Sequence, residues 1–296
     1  MSGFTNMFAT EISEAAASYW GQGVRSNAGL LRVVDKKIVP KGTSTVEVII
    51  PGAITGTTRT AGSSYTPAEP TDTSVSLTPS TEYAGTPVPL DRLNLTRSAI
   101  DLATEYAPQC VGSAIDTLST ALWALSASIT TNTAVGTTGT TPAVADLAIC
   151  QSRLFDAKVN KDLPWYAVIG GAEQEAWTPS LTYNNYGPAG QSALQEGVMG
   201  QMYGFNVVAD QSRTSNGDAD KINLALHPKA ITCAFRSEID DRAAFASGSY
   251  VDSVSGITVF TVFKALNSSG EGAVMQIFVV ASVAIVKNNY AVQLLG

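Results

Sequence analysis

GTSTVEVIIPGAITGTTRTAGSSYTPAEPTDTSVSLTPSTEYAGTPVPL, residues 42–90, decides how this chain is read: it is an excursion without helical signal, crowded with Thr and Ser and poor in charge. Within it, TSTVEVIIP (43–51) alternates Thr43, Thr45, Glu47 and Ile49 against Ser44, Val46, Val48 and Ile50, and Pro51-Gly52 punctuates its end. That period of two is a strand. VSLTPSTEYAG supplies a return strand over residues 75–83. Between the two, residues 53–73 are dominated by Gly, Thr, Ser and Pro, which suit extended chain and turns rather than an apolar core. The stretch reads as a long two-stranded arm with a loose tip.

Ordering about 45 residues costs on the order of 45–90 kcal/mol of backbone entropy, at about 1–2 kcal/mol each. The arm's large side chains, Ile54, Tyr65, Val75, Leu77 and Tyr83, cannot offset that among themselves at about 25 cal/mol per Å² of apolar burial. A flexible surface loop is one reading. The sharper one is an arm laid across neighbouring subunits, with those side chains forming contacts between chains.

Upstream, residues 5–19 carry Phe8, Ile12, Ala15, Ala16 and Tyr19 at helical spacing, and Gly21, Gly23 and Gly29 then loosen the chain, so the head reads as a short helical arm that docks on something. Downstream, Val111, Ile115, Leu118, Leu122, Leu125 and Ile129 form one stripe of a long helix. Ile100, Ala103 and Ala107 extend it backwards across Pro108, where a kink or a broken first segment is expected. After a Thr-rich linker, Thr141-Pro142 reads as an N-cap and first helical residue of a helix running to about Lys158. WYAVIG, FNVVAD and KINLALHP are strands, residues 172–177 a short helix, and residues 229–235 are compatible with helix. ITVFTVFKAL and AVMQIFVVASVAIVKNNYAVQLL give two long strands around a turn at 267–272. Helices and strands mix without βαβ repetition, so the class is α+β.

The 296 residues, 45% of them hydrophobic, allow a full core and exclude wholesale disorder. A net charge of -7 argues against a basic nucleic-acid grip, although enclosure of nucleic acid needs none. The first residues lack the basic start and apolar run of a signal peptide. Cys110, Cys150 and Cys233 are widely spaced and odd in number, reading as reduced, mostly buried thiols of a cytosolic product.

Parts for chemistry are sparse, and no catalytic, cofactor-binding or metal-binding residue is assigned. The sole histidine, His227, precedes Pro228 after an apolar strand, which suits a surface or strand-end position. No zinc spacing exists, and a Cys nucleophile would have to meet His227 through the fold. Gly170-Gly171, between a strand and a helix, could cradle an anion but lacks a GxGxxG or Walker pattern, so a plain tight turn is expected. Glu173, Glu175, Glu196 and the pairs Asp218/Asp220 and Asp240/Asp241 read as solvated charge. The chain is read as not an enzyme.

The order of pieces, together with LQEGVMGQMYGFNVVAD (194–210), the strand and helix of 163–178 and HPKAITCAF (227–235), resembles the phage major capsid proteins of the HK97-like fold, which encapsulins share. The resemblance implies an N-terminal arm (1–41), an extended two-stranded loop (42–90), and a peripheral domain with a spine helix (91–140 and 252–296) around an axial domain (141–251). It implies spine-core residues Val111, Ile115, Leu118, Leu122 and Leu125. The function implied is self-assembly into pentamers and hexamers of an icosahedral shell enclosing double-stranded DNA, without sequence-specific contact and without a membrane. The place implied is a virion capsid assembled in the host cytoplasm, with a portal and a separate scaffolding or cement protein as partners. Residues 42–90 contain no lysine, so the arm cannot donate the amine of relatives that weld subunits through Lys–Asn bonds. An encapsulin-like compartment holding a cargo enzyme remains an alternative, as does a β-rich adhesin or carbohydrate-binding protein suggested by Tyr183, Tyr186 and the Thr-rich strands.

Overall fold

The computed structural model describes residues 2–26, 28–52, 58, 60–62, 69–90, 105–180, 200–213, 222–238, 246–252, 256–265 and 273–296. The organising element is the strand β14, Ala273–Ile285, thirteen residues with both edges occupied. Phe278 lies opposite Phe260 on one edge and Ala84 on the other, and Ala281 lies opposite Phe235 and Thr81. Strands β13 (Thr258–Ala265) and β11 (Ile231–Arg236) therefore lie end to end along one edge. Strands β5 (Val88–Leu90) and β4 (Thr81–Ala84) follow one another along the other. Outside β13 runs β12 (Ala246–Val251), antiparallel; outside β11 runs β1 (Asp35–Val39), parallel.

The alternation of β14 sends its side chains into two cores. Met275, Ile277, Val279 and Ala281 face the main core with Ile257, Val259 and Phe263, whereas Phe278 and Val280 pack with Phe260 and Val262 on the reverse. Both faces are covered, which is why the sequence there is nearly continuously apolar.

Two helices roof the main core. Helix α3, Ala107–Ala124, has Pro108 in its first turn, where the missing N–H leaves no helical bond unmade. Residues 91–104 lie outside the described set, so the expected run before Pro108 does too; the described 18 residues span about 27 Å. Val111, Ile115, Leu118 and Leu122 are buried, Leu125 is half-buried in a closing 3-10 turn, and Trp123, which the stripe did not include, is buried as well.

Helix α1, Ser2–Ser26, corrects the reading of a short head ended by glycine. The helix runs through Gly21 and Gly23 because both lie against packed neighbours: a Cβ at Gly23 would stand 2.6 Å from Ile115 Cδ1. What the helix docks on is this chain's own β12, β13 and α3, with Ile12, Ala16, Trp20 and Val24 buried. A short helix, α2 (Gly29–Val33), leads into β1.

The second sheet has the order β6-β15-β10-β7-β9-β8. Its strands are β6 (Val135–Gly136), β7 (Trp165–Ile169), β8 (Gln201–Met202), β9 (Phe205–Ala209), β10 (Ile222–Leu226) and β15 (Ala291–Leu295). One face packs Trp165, Ala167, Ile169, Phe205 and Ala225 with Leu147 and Leu154 of helix α4 (Asp146–Asp156) and Trp177 of helix α5 (Gly171–Trp177). The other face turns Val168, Leu224 and Leu226 into the main core, which makes the two sheets one packed body.

Several expectations change. The return strand is two strands, β3 (Thr73–Leu77) and β4, split at Thr78-Pro79-Ser80. The helix after the Thr-rich linker begins at Asp146, because an i→i+3 turn from Ala143 precedes it and Asp146 Oδ2 accepts the Ala143 N–H at 2.8 Å. Residues 231–236 are strand, not helix. The sheets also cut across the expected segments: β11 and β12 lie in the first sheet, and the last strand, β15, crosses into the second.

Candidate functional site

The arm is rooted beside the first sheet and extends from it. Strand β2 (Val46–Ile50) pairs antiparallel with β3, Val46 opposite Leu77, Val48 opposite Val75 and Ile50 opposite Thr73. Directly opposed residues share a face. At the root, Leu77 and Val46 pack on Val39 and Ala234; further out, Val48, Val75 and Ile50 are only half-buried. The reverse face presents Glu47, Ser76, Ser74 and Ile49, the last 64% exposed. Pairing continues past the strands into a neck: the Gly52 N–H donates to Asp72 Oδ1 at 2.8 Å, and a Cβ at Gly52 would lie 2.5 Å from the Thr71 carbonyl oxygen.

This placement redistributes the expected contact residues. Ile54 and Tyr65 lie outside the described residues, and Val75 sits on the half-buried face of the ribbon. Leu77 (1% exposed) and Tyr83 (8%) are corrected: both are buried by this chain, Leu77 under the arm root and Tyr83 opposite Val279 in the first sheet. Ile49 is the residue the sequence reading missed, although its parity with Glu47 signalled an outward position.

Around the root, two adjoining clefts of about 330 and 540 Å³ share Lys41, Ser237 and Glu238, and Lys41 Nζ reaches Glu238 at 3.0 Å. At the far edge of the second sheet, Phe155 is 55% exposed and meets Trp165 edge-on at 5.3 Å; Lys161 Nζ lies 4.6 Å from the Trp165 ring centroid. Tyr203, at φ 45, and Gly204, at φ 78, form the tight β8–β9 turn beside them. Such isolated aromatic and aliphatic groups suit contact with another protein surface.

The buried polar groups are structural in geometry. Glu173, expected in solvent, is 2% exposed and paired with Arg213, whose Nη1 also donates to Asn223 Oδ1. Burial pushes the Glu173 carboxyl up, but the Arg213 hydrogen bond and charge outweigh it and hold the carboxyl below its ordinary range. Gly170 is the reason Arg213 fits, since a Cβ there would stand 2.5 Å from Cζ. This places an arginine over the Gly170-Gly171 turn. Asp210 is buried at the end of β9, its oxygens accepting the N–H groups of Leu30 (2.6 Å) and Ser212 (2.7 Å).

His227, expected at the surface or a strand end, is fully buried at the end of β10, next to Asp162 and Lys229. All three cysteines are free and buried; burial pushes the Cys150 thiol up to about 12 and raises Cys110 and Cys233 as well, so these thiols stay protonated and weakly nucleophilic. Among the described residues no three metal-ligating side chains gather. Glu196, Asp218, Asp220, Asp240, Asp241, Tyr183 and Tyr186 lie outside the described set.

No protein-family model matches the chain, and no curated protein matches its sequence. Solved structures do match. The capsid of a native GTA particle aligns with a TM-score of 0.59 at 14% identity, over 92% of this chain and 90% of that one. The capsid of cyanophage P-SCSP1u gives 0.58 at 14% identity over 88% and 86%, and a virus-like particle from Pyrococcus furiosus gives 0.55 at 11% identity over 95% and 98%. At such identities the likeness is one of architecture, and the chain has the HK97-like α+β fold of phage capsid proteins.

Proposed function

We propose that this chain is a major capsid protein, self-assembling into pentamers and hexamers of an icosahedral shell that encloses double-stranded DNA. The observation that carries the reading is the match to the GTA capsid along 92% of the chain. In this reading α3 is the spine helix, and the β2–β3 ribbon is the extended loop, whose outer apolar residues gain their burial from a neighbouring copy. A closed shell requires one subunit surface to meet several neighbours, and a slim ribbon with a Gly/Thr-rich continuation suits that demand. The acidic balance is compatible, because enclosed DNA is neutralised by cations and needs no tight protein grip. The subunit resides in the virion capsid after assembly in the host cytoplasm, with a portal and a scaffolding or cement protein as partners. Its role is structural rather than enzymatic, in keeping with protonated thiols and a Glu173 carboxylate locked to Arg213.

Electron microscopy of particles formed by the expressed chain tests this reading. Closed shells with five- and six-fold capsomers are expected; a chain that stays monomeric under all assembly conditions defeats it.

A second reading, an encapsulin-like compartment, draws on the match to the Pyrococcus furiosus particle over 95% of this chain and 98% of that one. Particle contents separate the two: DNA and a portal vertex favour the virion, a co-purifying enzyme without DNA the compartment.

A further inference from the structure

Two segments cross side by side between the sheets. Strand β10 passes through residues 227–230 into β11, and β14 passes through residues 286–290 into β15. They are stitched together: the N–H groups of Val286 and Lys287 donate to the Ala230 carbonyl at 2.9 and 3.1 Å, and the His227 N–H donates to the Tyr290 carbonyl at 2.9 Å. A third connection, after α3, is fastened to the second crossing by Asn132 Nδ2, which donates to the carbonyls of Asn289 and Ala291 at 2.9 Å each.

The chain's only histidine occupies the join. Its ring is fully buried, edge-on to Tyr290 with centroids 5.4 Å apart. Nδ1 accepts the Lys229 N–H at 3.1 Å, capping the turn Pro228–Ala230. The proton of the neutral ring therefore sits on Nε2, which donates to Asp162 Oδ1 at 2.9 Å. Asp162 belongs to the connection before β7, so one ring ties three segments.

The charged and titratable groups around the ring come from each of these segments. Asp162 faces Nε2 and also pairs with Lys229; Lys287 lies 4.6 Å from the Tyr290 centroid; Asp35 of β1 acts on Lys229. A second proton on the ring goes to Nδ1, turning the acceptor of the Lys229 N–H into a donor that faces it. The cap is lost, and the cation meets two ammonium groups against one carboxylate.

We propose that this join is a protonation-gated hinge: neutral His227 clamps the paired crossings, and its protonation in mild acid releases them. This hinge is built from the join's own contacts and is independent of the shell reading. Its direction follows from linkage. Burial lowers the ring's pKa; Asp162 acts against this and the two lysines with it, leaving the value below the ordinary one. The released state thus binds the proton more tightly, and the clamped state loses stability as pH falls below about 6.5 toward the folded value.

Hydrogen exchange of the intact chain between about pH 7.5 and pH 5, corrected for chemical exchange, tests the hinge alongside NMR titration of its single imidazole. Protection of the amides of Lys229, Ala230, Val286, Lys287 and Tyr290 is expected to fall as pH drops below about 6.5, by up to about tenfold per pH unit, the limit for one proton, and to level off where the clamped imidazole titrates. Strands β13 and β14 should stay protected. His227→Asn keeps an acceptor for the cap but does not titrate, and should leave protection level across the range. Asp162→Asn, at an exposed position, removes the carboxylate that favours the charged ring in the clamped state, so the clamped imidazole should titrate at lower pH and the acid-dependent fall in protection should become larger. Unchanged protection in the wild type while the ring titrates overturns the hinge. So does a pH dependence that persists in His227→Asn, or an acid-dependent fall in protection that Asp162→Asn leaves unchanged or shrinks.

Discussion

Gly248→Ala should separate helix α1 from the sheet it covers. Gly248 lies in β12, where an added Cβ would stand 2.5 Å from the Ala9 carbonyl carbon and oxygen and 2.7 Å from the Thr10 nitrogen. Those are backbone atoms of a helix, so no rotamer change relieves the contact. The helix must retreat by about 1 Å to restore ordinary carbon–carbon separations. Its retreat loosens Ile12, Ala16 and Trp20, all fully buried in the main core. Overpacking of this kind costs about 1–3 kcal/mol. Replacing glycine returns about 0.4–1 kcal/mol through the unfolded chain, so steric displacement wins and the net loss is about 1–2 kcal/mol. Urea unfolding followed by circular dichroism reads it: at a slope of about 3 kcal/mol per molar urea, the midpoint should drop by roughly 0.3–0.7 M. Gly112→Ala is the matched control, mid-helix in α3 with no atom within 4 Å of the new Cβ. It should stabilise by about 1 kcal/mol. A Gly248→Ala midpoint equal to or above the wild type would refute the close helix–strand contact.

Leu118→Ala, at a fully buried position of α3, should cost about 2–5 kcal/mol, seen as a lowered unfolding midpoint; an unchanged midpoint would place the stripe on the wrong face. Arg213→Met leaves the Glu173 carboxylate buried without its cation and should cost about 3–5 kcal/mol near neutral pH. Part of that loss should disappear in acid, because the wild-type Glu173, held below its ordinary pKa, loses its contribution as pH falls through the folded value while the variant's carboxyl protonates readily. Asp72→Ala removes the acceptor at the arm's neck; circular dichroism should show an intact subunit, and under the proposed shell reading sedimentation should show impaired or weakened shells. Native-sized, equally stable particles would make the neck dispensable.

What could be read from sequence was what repeats along the chain at one period. The α3 stripe and the alternation of β2 each left a face that must be buried, and local spacing alone specifies such a face. Strand β11 was misread because Ile231 to Phe235 is buried throughout, so neither period shows. The break at Thr78-Pro79-Ser80 was visible as a proline, yet its consequence was not: β3 pairs with β2, whereas β4 pairs with β14, almost 200 residues along the chain. Gly21 and Gly23 read as loosened chain because glycine ordinarily weakens a helix by about 1 kcal/mol. Their neighbours, Asp252 and Ile115, are supplied by tertiary structure.

The burial of two polar residues escaped the sequence for a related reason. Glu173 and His227 belong to types that are usually exposed or intermediate, and their burial depends on partners 40 and 65 residues away in the chain, Arg213 and Asp162. Where these groups lie explains what they do. Glu173 and Arg213 meet Asn223, which also donates to the Leu294 carbonyl, joining α5, β10 and β15. Asp210 fastens the start of α2 to the end of β9, and His227 joins the crossings between sheets. Each lies where distant segments must meet in one register. Apolar contact is nondirectional and would tolerate a slip there; a buried donor and acceptor left unpaired by the same slip costs about 1–3 kcal/mol. The apolar stripes thus hold the layers together, while the buried polar groups fix how the segments align.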